Sequence, residues 1–134
     1  MIDTHIKNIL KLENQLKTNH KIDSLSLLSF VDLLYYFIKL KFPDKKDSFV
    51  YHKAHINAKL FSKIRNPKYH PSRKTIIALG LALELNMDEF EMLLASANYA
   101  LSLNNRFDVA IIYCIEHQIY DLYIVNEIIY ELEI

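Results

Sequence analysis

The first thing missing from this sequence is glycine. There is a single one, Gly80, and it sits inside the apolar run Thr75–Leu85 and not in a turn. Loops that cradle nucleotide phosphates need glycine so that backbone N–H groups can come close to the anion. That chemistry is excluded here. Cysteine is equally scarce: Cys114 stands alone, cannot form an internal disulfide, and suits a reducing compartment, so a cytoplasmic protein is expected. Tryptophan is absent, and nine tyrosines and seven phenylalanines take over its part in building a core. No apolar run approaches the ~18–20 residues that span a bilayer, because Asp, Lys, Glu or His interrupts each one, and no membrane association is expected. The start, Met1-Ile2-Asp3-Thr4-His5, lacks the charged head and apolar stretch of a secretion signal. With no linker, repeat or low-complexity stretch, residues 1–134 read as one domain: an N-terminal helix (1–23), a central core (24–102) and a C-terminal helical pair (103–134).

Hydrophobic residues make up 51% of the chain, enough for a folded core, and the net charge is zero. The charge is nonetheless segregated. Residues 1–47 carry eight lysines and six acids, and residues 48–83 carry seven bases and no acid. Residues 84–134 carry Arg106 alone against ten acids, a balance of −9. A basic middle followed by an acidic end implies two surfaces of opposite potential, and hence partners of opposite charge.

Every periodic segment is helical. Residues 4–18 bring Ile6, Ile9, Leu10, Leu12 and Leu16 near one face. Ser24 is placed as the N-cap of a helix through residue 41, with Phe30, Tyr35, Tyr36 and Phe37 as core residues. Asp47 or Ser48 is placed as the cap of a short helix to about His55, and residues 58–66 form another. Pro67 and Pro71 frame a rigid loop. Ser72 then caps a helix closed by Asn86, Asp88 caps one through about Ala100, and two more lie near 105–117 and 121–133. The expected fold is all-α: a compact bundle of about seven helices.

Within it, residues 48–94 have a distinctive order. Ser48–Asn57 gives a short helix and turn, Ala58–Asn66 a second short helix, then come a basic loop and Pro71-Ser72-Arg73-Lys74-Thr75 opening a longer helix. Ile56 closes the turn, Phe61-Ser62-Lys63-Ile64 forms the apolar-Ser-basic-Ile pattern, and Leu83-Glu84-Leu85-Asn86-Met87-Asp88-Glu89 leads into the next helix. Over roughly residues 25–95 this resembles the λ-repressor/Cro-like (Xre) helix-turn-helix family, as a degenerate member with two extra C-terminal helices. Tyr51 and His55 stand where that family favours a small residue and a glycine, so the two helices are expected to cross differently. The block from Phe61 to Asn86, continuing through Ala97–Ser102, is also similar to a helical domain that sometimes follows macro-type domains in bacterial and phage proteins.

The resemblance implies a non-enzymatic DNA-binding protein, most simply a transcriptional regulator. Lys59, Ser62, Lys63 and Asn66 would then read double-stranded DNA, and Arg65, Lys68, Arg73 and Lys74 would hold phosphates. The last helices hold more apolar side chains than one buried face requires, which makes them an expected interface through Tyr113, Tyr120, Tyr123, Ile124, Ile128 and Tyr130, with a homodimer as the simplest product. A second reading keeps the fold and changes the partner. The acidic, tyrosine-bearing end would occupy a basic nucleic-acid-binding host protein, as a phage or mobile-element inhibitor of the anti-CRISPR kind does. A third is a small helical ribonuclease, from the Arg-x4-His spacing of Arg65 and His70. Cys114 and His117 lie three apart on a helix but lack further ligands, and His52 and His55 lie among lysines, so neither a metal nor a cofactor is expected.

Overall fold

A computed structural model describes residues 2–19 and 24–134. They form eight α-helices and one 3₁₀ turn, with no strand among them. The helices are α1 (Ile2–Asn19), α2 (Phe30–Lys41), α3 (Asp47–Lys53), α4 (Ala58–Ile64), α5 (Arg73–Ala82), α6 (Met87–Ser96), α7 (Arg106–Glu116) and α8 (Leu122–Glu131); the 3₁₀ turn is Ser24–Leu27. The all-helical bundle read from the sequence is therefore present, and none of its described helices is long and apolar enough to cross a membrane.

Most helix starts are fixed by a side chain that satisfies an otherwise orphaned backbone donor. Ser29 caps α2, Asn57 caps α4, Ser72 caps α5, Asn105 caps α7 and Asp121 caps α8, each accepting from an amide two or three residues on. Three expected starts are displaced. Residues 24–27 form the 3₁₀ turn, so α2 begins five residues later than a cap at Ser24 would place it. Lys46 precedes α3 without a side-chain cap, and Asp47 and Ser48 lie inside the helix. Asn86, read as the end of α5, instead opens α6. Its Oδ1 accepts from the Glu89 amide while Glu89 accepts from the Asn86 amide, a reciprocal capping box that leaves Asp88 inside the first turn.

Helix ends show how the chain manages without glycine. His55, Glu84, Asn98, Gln118 and Glu133 all have φ between 55° and 65°. Each follows a helix C-cap, and each is flanked by the same pair of hydrogen bonds: its own amide to the carbonyl three residues back, and the next amide to the carbonyl five residues before that next residue. This is the Schellman arrangement, whose left-handed residue is usually glycine. Here it is made five times with residues that carry a Cβ.

The core is centred on α5, which contacts α3, α6 and α8. Ile76, Ile77, Leu79, Leu81 and Ala82 are buried on it, and so is Gly80. A Cβ at Gly80 would fall 2.5 Å from Cε2 of the buried Phe90 ring. The lone glycine thus serves close packing of α5 on α6, not a turn. Leu33, Leu34 and Phe37 of α2, Val50 of α3, Phe61 and Ile64 of α4, and Ile111 and Cys114 of α7 complete the interior. Of the expected aromatic stripe, Phe30 and Phe37 are buried and Tyr35 packs partly against the core. Tyr36 is exposed and meets Phe37 edge-on.

One buried charge ties distant segments together. Asp108, in the first turn of α7, is 1% exposed and accepts from Arg73 Nη2 and from the Ser102 amide (2.8 Å). Arg73 also donates to the Ala100 carbonyl (2.8 Å). Tyr99 donates to the Pro71 carbonyl (3.0 Å) and Tyr120 to the Leu85 carbonyl (3.1 Å), pinning the loops at either end of α5.

Candidate nucleic-acid interface and the C-terminal groove

The geometry of the α3–α4 unit follows from its sequence. α3 ends at Lys53, residues 54–57 turn the chain, and α4 starts at Ala58. Within the turn His55 adopts φ 56°, the conformation a glycine would supply, and its ring lies 4.6 Å from that of Tyr123 on α8. The histidine therefore reproduces a glycine turn and gains a contact that glycine lacks. Ile56 beyond it is buried. Tyr51, standing where a small residue was anticipated, is accommodated by ring packing on Phe61 at 5.0 Å, and Phe61 meets Tyr35 edge-on at 6.5 Å.

α4 buries Phe61 and Ile64 and presents Lys59, Ser62 and Lys63 to solvent, with Asn66 exposed just beyond its end. This is the alternation the apolar-Ser-basic-Ile pattern predicts for a short helix lying on a core. Asn66 Oδ1 accepts from the Lys68 amide (3.0 Å), which shapes the loop and leaves the amide NH₂ available.

The seven bases of residues 48–83 divide into two groups. Three have partners within the chain, although Arg65 stays exposed. Lys53 pairs with Glu84 (3.3 Å) and lies over the Phe42 ring (4.6 Å). Arg65 adjoins Tyr35, whose hydroxyl donates to Asp47 (3.2 Å); burial and then the Asp47 charge raise the pKa of that hydroxyl, while Arg65 opposes them. Arg73 is held by Asp108 and Ala100. Lys59, Lys63, Lys68 and Lys74 are exposed and have no ion-pair partner among the described residues. Lys74 borders a cavity shared by the α3–α4 turn, α5, α7 and α8. Of the eight residues singled out from sequence for nucleic acid, Arg73 is thus absorbed into the fold, because only the Asp108 carboxylate, 35 residues on, could reveal its use.

The other sequence candidates have separate surroundings. Arg65 adjoins Tyr35, whereas His70 packs its ring at 5.4 Å from Tyr99, and the cavity lined by His70 does not include Arg65. Cys114 is fully buried and its thiol pKa is raised by that burial, while His117 is exposed and stacks on Tyr113 at 3.9 Å. Among the described residues no group of three or more His, Cys, Asp and Glu side chains is placed to hold a metal ion.

The C-terminal pair leaves apolar surface uncovered, as its composition suggested. Leu122 and Val125 are buried, but Tyr113, Tyr123, Ile124 and Tyr130 are exposed. Tyr120 departs from that set: it is half-buried, and its hydroxyl is used by Leu85. Between α7 and α8 runs a groove of about 700 Å³, floored by Val109, Ala110, Tyr113, Ile124 and Ile128 and edged by Glu127 and Glu131. Sequence reasoning singled out Tyr113, Ile124 and Ile128 of these side chains but not that they enclose a groove. Comparison of the chain with family models, curated proteins and solved structures finds no match.

Proposed function

We propose that this is a non-enzymatic DNA-binding protein of the helix-turn-helix type, akin to the λ-repressor/Cro-like (Xre) family, acting as a transcriptional regulator. The observation that carries this reading is the exposed face of α4. Lys59, Ser62, Lys63 and Asn66 lie just after a tight left-handed turn, free of ion pairs among the described residues, on a helix whose other face is anchored by Phe61 and Ile64. Lysine with hydroxyl and amide groups one turn apart suits phosphates and base edges in a major groove, and the second helix of such a motif is the one that enters it. Lys68 and Lys74 supply further phosphate contacts. Arg73, engaged by Asp108, is not among them.

Fluorescence anisotropy with duplex DNA tests the proposal. Four lysine–phosphate contacts would make log affinity fall against log salt with a slope of about −3 to −4. Lys59→Ala with Lys63→Ala is expected to weaken binding at least tenfold and to shallow that slope by about 2, with unchanged melting because both side chains are exposed. Absence of binding by the wild-type chain at low salt would overturn the reading. So would a double variant that binds as well as the wild type.

A further inference from the structure

Among the described residues, two apolar surfaces are left without a partner, and they are complementary. The first is α1. Its apolar residues recur on one face, and those described there are not buried: Ile2, Ile6, Ile9, Leu10 and Leu12 are all at least half exposed. The second is the α7–α8 groove, where Leu103, Val109, Tyr113, Ile124 and Leu132 are likewise exposed. An exposed amphipathic helix and an exposed apolar groove are the two halves of a recurrent recognition mode, in which a helix lays its apolar face into the groove.

From this pairing we infer that α1 of a second copy of the chain docks in the α7–α8 groove, and that the two copies exchange these arms reciprocally. Three features fit. Dimensions agree: the apolar stretch from Ile2 to Leu12 spans about 15 Å of helix, and α8, at ten residues, is also about 15 Å long. Charges are opposite. α1 carries Lys7, Lys11 and Lys17 against Asp3 and Glu13, net +1. With the buried Asp108 matched by Arg73, α7 and α8 carry Arg106 against Glu116, Glu127 and Glu131, net −2. Arg106, moreover, is drawn to the Leu132 carbonyl at the C-terminal end of α8 (3.2 Å), so the free charges along the groove edge are the two glutamates. Area is sufficient as well. Five large exposed side chains on the arm and five on the groove, covered twice in a reciprocal exchange, exceed the ~1,000 Å² a specific interface needs. The exchange is independent of whether α4 binds nucleic acid.

Light scattering coupled to size exclusion, on the full chain at micromolar concentration, provides the test. The wild type is expected at twice the mass of one chain. Ile6→Lys with Ile9→Lys in the arm, or Val109→Lys with Ile124→Lys in the groove, is expected to halve that mass. All four side chains are at least 46% exposed, so circular dichroism should report the same helicity and melting for the monomeric variants as for wild type at a dilution where it dissociates. Mixing the two variants should restore a dimer, because the intact arm of one fits the intact groove of the other. A wild-type monomer, whether its arm is free or folded into its own groove, overturns the inference. It is equally overturned by a dimer that survives both variants, or by a mixture that stays monomeric.

Discussion

Replacing Gln118 with glycine should make the protein more stable. Gln118 is the left-handed residue after α7, with φ 56°, its amide donating to the Ile115 carbonyl and the next amide to the Cys114 carbonyl. Its side chain is exposed and makes no hydrogen bond or ion pair among the described residues, so nothing is lost with it. Holding an L-residue in this conformation costs about 1–2 kcal/mol. Glycine removes that cost but enlarges the freedom of the unfolded chain, a loss of about 0.4–1 kcal/mol. The net gain is about 0.5–1 kcal/mol, which for a chain of this size raises the melting temperature by about 2–4 °C. Thermal unfolding followed by circular dichroism reads this directly, with Gln118→Ala as the control. Alanine keeps the Cβ and should bring no gain. The other four sites should respond less, each for a visible reason. Glu84→Gly also removes the surface pair with Lys53, worth no more than about 1 kcal/mol. His55→Gly gives up the ring contact with Tyr123. Asn98 already tolerates the left-handed region better than most residues. Glu133 lies just past α8 among exposed residues, where little of the fold packs on it. A Gln118→Gly variant that melts at or below the wild-type temperature, or an alanine variant that gains as much, would refute the argument.

Two further predictions concern charge. Arg73→Ala leaves the buried Asp108 carboxylate with the Ser102 amide as its tertiary donor, and loss of one member of a buried pair costs about 3–5 kcal/mol. Because Arg73 keeps some exposure, the lower end is expected, seen as a lower urea midpoint; a variant with unchanged stability would show that the pair contributes nothing. Stability should also fall in alkali. Burial raises the pKa values of Cys114, Tyr35 and Tyr120 in the folded state, so the unfolded chain loses these protons first. The contribution is complete below the ordinary thiol value of 9.0 and is lost as pH rises past it, with the tyrosines following above 10.0. Cys114→Ala should remove the first stage of a melting-temperature profile, and a profile unchanged by that substitution would contradict the assignment.

Much of this organisation was legible in the residues alone. Helical periodicity marked an all-helical bundle of about seven helices where the fold has eight, because an apolar stripe at 3.6-residue spacing has only one regular backbone that buries it. The same local logic placed Ser72 as a cap, and it paired the exposed Lys59, Ser62 and Lys63 with the buried Phe61 and Ile64 of α4. The segregation of charge into a basic middle and an acidic end is likewise a property of the chain itself. Where local signals competed, reading them in isolation failed. Asn86 suits a helix end as well as a helix start, and the return bond from Glu89 decided for the start. Tertiary structure alone settled the rest, since it joins groups far apart along the chain. Arg73 looks like a phosphate contact until Asp108 is brought beside it, and Tyr120 looks like an interface residue until its hydroxyl meets Leu85. Gly80 reads as an oddity within a helix until Phe90 fills the space where a Cβ would stand. The groove between α7 and α8 exists only because two helices, each with more apolar surface than the core can cover, pack side by side and leave the remainder facing outward.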